Sequence, residues 1–179
     1  MRVRDHIALS TAGAALVSPL LGRRALDLWA AGVFVDADHY LWFCLRQRRW
    51  SPPAAIRFFN QAHAPQHPAT RVLHSPAALL AVLVAGVRRR ELLPVALGMG
   101  LHVVLDAHHD ARMDEARAAA LERDDFSCQA CGTRAGYVGT HLREQPWLLP
   151  SYEPRNLIAL CGPCHEAAHV RSGRAGSWR

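Results

Sequence analysis

Two Cys-x-x-Cys pairs near the end of this 179-residue chain constrain its folding more than any other feature. Cys128/Cys131 and Cys161/Cys164 are separated by 29 residues. Each spacing sets two sulfurs on one tight turn, and two such turns facing each other make a tetrahedral four-sulfur shell suited to zinc. A segment this small buries little apolar surface, so a structural Zn²⁺ would supply folding energy directly. The fifth cysteine, Cys44, sits alone in an apolar run. An odd count arranged in such pairs argues for thiolate ligands in a reducing compartment rather than for a disulfide framework. The bland alternative is that the pairs are redox-active or incidental.

Four sulfurs complete one site without histidine, which leaves the two histidines of "CGPCHEAAH" for another task. His165 and His169 are four apart in helix-compatible sequence, which puts both imidazoles on one helix face. His141 lies upstream in "VGTHL", a short β-prone run after the turn "GTRAG", and Asn156 lies between them in "EPRNLIALC". Taken singly, each has an ordinary reading: a surface strand histidine, a turn former, a solvated helix residue.

Together, "ALERDDFSCQACG", "THLREQPWLLPSYEPRNLIALC" and "CGPCHEAAH" resemble the HNH endonucleases over residues 118–170, with the elements in the family's order. The resemblance implies a ββα-metal fold and metal-dependent hydrolysis of DNA phosphodiester bonds. It makes His141 the general base that activates water, Asn156 the residue that orients the base loop, and His165 the holder of a catalytic divalent metal (Mg²⁺, Mn²⁺ or Zn²⁺). His169 matches a second metal histidine of the nuclease colicins in this superfamily. One position departs from the pattern. Many members carry Asp or His just before the base histidine as a metal ligand, and Thr140, whose hydroxyl is a poorer ligand, stands there instead. This leaves open a non-catalytic zinc-knuckle module that binds nucleic acid without cutting it.

The N-terminal part has a different texture. "HIALSTAGAALVSPLLG", "ALDLWAAGVFVDADHYLWFCLRQ", "SPAALLAVLVAGV" and "LLPVALGMGLHVVLDAHH" read as Ala/Leu/Val-rich helices broken by Gly, Pro or arginine clusters. The proline-rich stretch between them, 51–70, reads as a loop or a short helix followed by one. "DARMDEARAAALERDD" reads as a solvated helical connector with acid-to-arginine spacings of three and four. The apolar runs after Ser75 and Glu91 are each about 13 residues, short of the roughly 20 that a bilayer core needs. They suit a buried hairpin or a re-entrant pair. Were both to span, "RRR" at 88–90 would be cytoplasmic and everything after Asp106 external, the wrong compartment for thiolates and DNA chemistry. No small-residue cleavage site is read in residues 1–22. The expected location is cytoplasmic, with association with the inner face of the membrane left open.

Polar residues are concentrated oddly within this apolar part: His6, Asp36, Asp38, His39, His63, His67, His74, Ser75, His102, Asp106, His108 and His109. Carboxylates and imidazoles inside apolar helices are costly unless paired or metal-bound. The order of an early His, "DADH", "HS" and an H-x-x-x-D is similar to the membrane-bound metal-dependent hydrolase family (YdjM-like), over residues 1–110. That resemblance implies a helical metal site built from Asp36, Asp38, His39, His74, His102 and Asp106, hydrolysing a phosphoester. Helix-capping aspartates and satisfied core histidines are the alternative.

The net charge of +6 falls mostly in residues 1–110, where 12 Arg face 7 acids; alone it is weak evidence for nucleic-acid binding. The expected architecture is a mainly α N-terminal helical domain (1–110), a helical connector (111–125) and a small α+β, zinc-stabilised HNH domain (126–179).

Overall fold

The computed structural model describes residues 1–59, 71–134, 136, 138–144 and 146–171; His63 and His67 lie outside them. The chain is mostly helical with one small antiparallel sheet. It divides into two compact units, Met1–Ala107 and His108–Arg179.

The first unit contains α1 (Val3–Leu21), α2 (Ala25–Phe34), α3 (Ala37–Gln47), α4 (Pro52–Phe59), α5 (Pro76–Arg88) and the first part of α6 (Leu93–Arg123). The boundaries follow local chemistry. Ser75 caps α5, its hydroxyl accepting from the Ala78 N–H at 3.1 Å, with Pro76 in the first turn where no N–H is needed. Gly22, at φ 54°, ends α1. Two apolar clusters form the core: Ala14, Ala25 and Leu28 with Leu101 against them, and Phe43, Cys44, Ala54 and Ala55 under Phe58 and Phe59. Cys44 is a packing residue there.

Small residues set how closely α2 and α6 approach. A Cβ placed on Gly98 of α6 would lie 2.2 Å from the Leu28 carbonyl oxygen of α2, and one on Gly32 would lie 2.7 Å from the Ser10 Oγ of α1. No side chain fits at that crossing without separating the backbones. One turn beyond Gly98, the same closeness brings His102 Nδ1 within 2.7 Å of the Gly32 carbonyl.

This unit also inverts the usual distribution of polarity. Asp5, His6, Ser10, Asp38 and His102 are buried, whereas Leu16, Leu20, Leu26, Leu45, Trp50 and Val87 are exposed. Buried polar groups and exposed large apolar groups are the informative cases, because the reverse is ordinary. The helix that carries the apolar run after Glu91 does not stop at Asp106. The run lies within a helical segment, Arg90–Arg123, that by length and composition alone is sufficient to cross a bilayer.

That continuity corrects the solvated connector expected over 111–125. "HHDARMDEARAAALER" contains no Gly or Pro and is rich in strong helix formers, so α6 runs unbroken to Arg123. Met113, Ala116 and Ala120, at helical spacing, form a buried stripe against Leu157. Its charged face is exposed as expected, but its other face is core.

The second unit adds β1 (Val138–Leu142), β2 (Leu157–Cys161) and α7 (Gly162–Arg171) to the end of α6. The strands pair antiparallel, with Val138 opposite Cys161 and His141 opposite Ile158. Asp124 joins helix to sheet. Its carboxylate takes both Arg123 Nε and Nη2 at 2.7 Å and accepts the Ala159 N–H at 2.9 Å, while Arg123 also donates to the Pro154 and Leu157 carbonyls. The Arg123 guanidinium holds the Asp124 carboxyl below the usual carboxylate range despite burial. A depressed carboxyl contributes stability above its ordinary pKa near 3.9 and loses it as pH falls through the native value. Asp124→Asn is therefore expected to destabilise this unit at pH 7 by about 1–3 kcal/mol. The difference from wild type should shrink as denaturation is repeated at pH values falling from about 5 toward the native value. A difference that persists undiminished in acid would contradict the assignment.

Candidate metal centres

The four thiols converge. Cys128 lies in a turn closed by its own N–H to the Thr133 carbonyl (2.9 Å) and by the Gly132 N–H to the Cys128 carbonyl (2.7 Å), with Gly132 at φ 75°. Cys161 ends β2 and Cys164 opens α7. All four sulfurs lie within 4.8 Å of one another, with Cys131 Sγ 3.7 Å from Cys161 Sγ. For Zn–S bonds of about 2.3 Å, a tetrahedral edge measures about 3.8 Å. Burial pushes the Cys128 thiol up, but the backbone N–H groups around it outweigh this and bring it down to about 6. Cys164 is pushed up to about 12, chiefly by the neighbouring Cys161 and Cys128 sulfurs. Four adjacent thiolates repel one another unless a cation lies between them, so this cluster can bind a structural metal such as zinc.

Beside it a second group forms from three imidazoles. His141 projects from β1, and His165 and His169 from one face of α7. Ring centroids are 5.0 Å apart for His141 and His165, 4.8 Å for His141 and His169, and 4.7 Å for His165 and His169. One nitrogen from each lies within 4.8 Å of the others, a set that can hold an ion. Strand alternation turns Thr140 to the face opposite His141, so its hydroxyl is not among these donors. Asn156 is not among them either. Its side chain clasps the chain just after β1, Oδ1 accepting the Glu144 N–H at 3.0 Å and Nδ2 donating to the Glu144 carbonyl at 2.8 Å. Its own carbonyl accepts the Arg143 N–H at 2.8 Å. Asn156 thus positions the strand end that carries His141.

The third group lies in the helical unit. His102 Nδ1 faces a carbonyl and must donate to it, so in the neutral ring Nε2 presents a lone pair to the interior. Around that lone pair stand His74 Nε2 at 3.2 Å, Asp106 Oδ2 at 3.4 Å and Asp36 Oδ1 at 3.6 Å. A lone pair aimed at two carboxylates is repulsive unless a proton or a metal ion intervenes. With a proton there, burial depresses the imidazolium, but Asp106 and Asp36 outweigh this and hold His102 up at about 10. Both carboxyls are held far below the usual range against burial, Asp36 by His102 and His74, Asp106 by His102 and His6. A carbonyl-anchored histidine facing carboxylates is also how proteins orient metal-binding imidazoles.

Not every residue expected in this group has the same place. Asp36, His39, His74, His102 and Asp106 fall into overlapping triads with ligand atoms within 4.8 Å. Asp38 does not. Its Oδ1 accepts the His39 N–H and faces His39 Nδ1 at 2.9 Å, and its Oδ2 accepts the Leu73 N–H at 3.0 Å. Asp38 orients His39 and joins none of these triads. His6 was not in the expected ligand set, yet it forms a triad with Asp36 and His102. It stacks on the His102 ring at 3.9 Å and reaches Asp106 Oδ1 at 3.1 Å, where the Met1 amino group also sits at 2.9 Å. The signal in the sequence was the early histidine of the polar series. His108 and His109, which the sequence groups with these residues, belong to the second unit, where His109 Nδ1 meets the Tyr152 hydroxyl at 3.0 Å. Searches with this chain match no family model, no curated protein and no solved structure.

Proposed function

We propose that the second unit is a metal-dependent endonuclease of HNH type, hydrolysing DNA phosphodiester bonds. The observation that carries this is the convergence of His141 from β1 with His165 and His169 from α7, next to a four-thiol cluster that ties the paired strand β2 to that helix. A bound divalent ion would stabilise charge developing on the scissile phosphate and the leaving oxygen. His165 and His169 would hold it. His141, in its neutral form, accepts the proton of the attacking water. Asn156 fixes the end of β1 through Glu144, so that the base does not swing away from its water. Supercoiled plasmid incubated with the zinc-loaded chain and Mg²⁺ or Mn²⁺ should be nicked. Plasmid left intact while its mobility is shifted in a gel would replace the nuclease with a nucleic-acid-binding module.

A second reading is favoured by the helical unit's buried His/Asp group under an apolar exterior: a metal-dependent hydrolase of phosphoesters, working at the cytoplasmic face of a membrane. The full chain carrying His141→Ala is expected to retain turnover of a generic phosphoester and to lose it on adding Asp106→Asn. Equal residual turnover in the two variants would remove this reading.

A further inference from the structure

We infer that the helical unit docks on an anionic lipid surface, with the outer face of α5 at the acyl boundary and Arg88, Arg89 and Arg90 against acidic headgroups. The inference rests on placing this unit at a membrane face. It goes beyond that placement by naming the element that meets the lipid and the charge the lipid must carry.

Charge makes the first part of the case. Between Asp38 and Glu91 the chain has eight arginines and no acidic residue. Arg88, Arg89 and Arg90 are all exposed, and none of them joins an ion pair among the described residues. Three adjacent cations repel one another, so a surface that supplies negative charge is favoured against them.

Packing makes the second. One face of α5 is turned to the protein: Gly86 is buried, and a Cβ there would lie 3.1 Å from Leu93 Cδ2. The other face is open. Leu80, Leu83, Val84 and Val87 are exposed by 61, 49, 40 and 71 %, at the spacing i, i+3, i+4 and i+7 that lines one side of a helix. A continuous apolar stripe thus runs along α5 and ends at the arginine triplet. Stripes of this kind mark binding surfaces, whereas single exposed apolar residues do not.

The combination selects the occupant. Nucleic acid would answer the arginines but offers nothing to four aliphatic side chains. A second copy of the chain would cover the stripe but brings no carboxylate, since α5 has none, and in parallel it would set one triplet against the other. A bilayer containing acidic lipids answers both features. The 13 residues of α5 measure about 20 Å, short of the roughly 30 Å hydrocarbon core, so the helix lies along the interface. α3 repeats the pattern within the same acid-free stretch. Leu41 and Leu45, one turn apart, are exposed, and exposed Arg46, Arg48, Arg49 and Trp50 follow them. His74 immediately precedes the Ser75 cap of α5, so the docked helix holds a member of the His/Asp group at its end.

The test floats the full chain, with zinc on its thiols, with vesicles of phosphatidylcholine alone and of equimolar phosphatidylcholine and phosphatidylglycerol. The chain should prefer the mixed vesicles and be released from them by salt. Replacing Arg88, Arg89 and Arg90 together by Gln should weaken partition to the mixed vesicles about 10²-fold, at roughly fivefold for each arginine near such a surface. Lys at the same three positions should restore it, which a folding defect would not allow. Leu83→Glu should weaken binding as well. Equal binding to both kinds of vesicle would overturn the requirement for acidic lipid, and binding to neither would remove the membrane placement together with it. A Gln variant that floats like wild type but no longer shifts plasmid would assign the arginines to nucleic acid. A dimer dispersed by Leu83→Glu, without flotation, would assign the stripe to a second copy.

Discussion

Replacing His141 by alanine is expected to slow plasmid nicking by about 10²–10⁴-fold, the usual contribution of a positioned general base, while leaving zinc content and the melting of both units nearly unchanged. The side chain is half-buried on β1 and faces α7, so its loss opens little of the core. The measurement that separates its roles is metal affinity. As a base, His141 can be lost without releasing the ion held by His165 and His169. As a third ligand beside them, it would take metal affinity with it, and titration of the variant with Mn²⁺ or Co²⁺ would show a fall as large as that in His165→Ala.

Cys161→Ser should cost more and cost it differently. Cys161 ends β2, is buried, and packs with Cys128 and Leu160, so its sulfur connects the sheet to α7. Structural zinc supplies on the order of 10 kcal/mol in small domains, comparable to the whole stability of a domain. Loss of one thiolate is expected to abolish stoichiometric zinc, melt the second unit and eliminate nicking. Asp36 and His102 belong to the first unit, so its thermal transition should persist. Two transitions in wild type, of which the variant loses one, would appear in calorimetry. A variant that keeps zinc and nicking would show that the four sulfurs are not the clamp.

What could be read before any coordinates were the short-range geometries. Two cysteines three apart share a turn, and two histidines four apart share a helix face, because backbone geometry alone dictates both. Alternating helix-forming runs and a β-prone "VGTHL" were also sufficient to expect a mostly helical chain with a small sheet. The membrane question was less legible. Counting apolar residues stopped the run after Glu91 near Asp106, whereas the helix continues, since nothing in "HHDARMDEAR" breaks it. The same blindness produced the solvated connector. Met113, Ala116 and Ala120 carry little hydrophobic signal among charges, and only Leu157, supplied by β2, makes them core.

The sequence alone determined which groups able to bind a metal this protein offers: thiols grouped in pairs, imidazoles separate from them, and aspartates embedded among apolar helices. Tertiary structure decided which of those groups meet. His6 and His102 are 96 positions apart and stack because Gly32 and Gly98 let three helices approach closely. Asp38 became a supporting residue because two backbone N–H groups reached its oxygens first. Spacing along a chain reports neighbours within one turn, where covalent geometry leaves little choice. Contacts across the fold depend on which faces pack and how near the backbones come, and that is a property of the whole set of side chains at once.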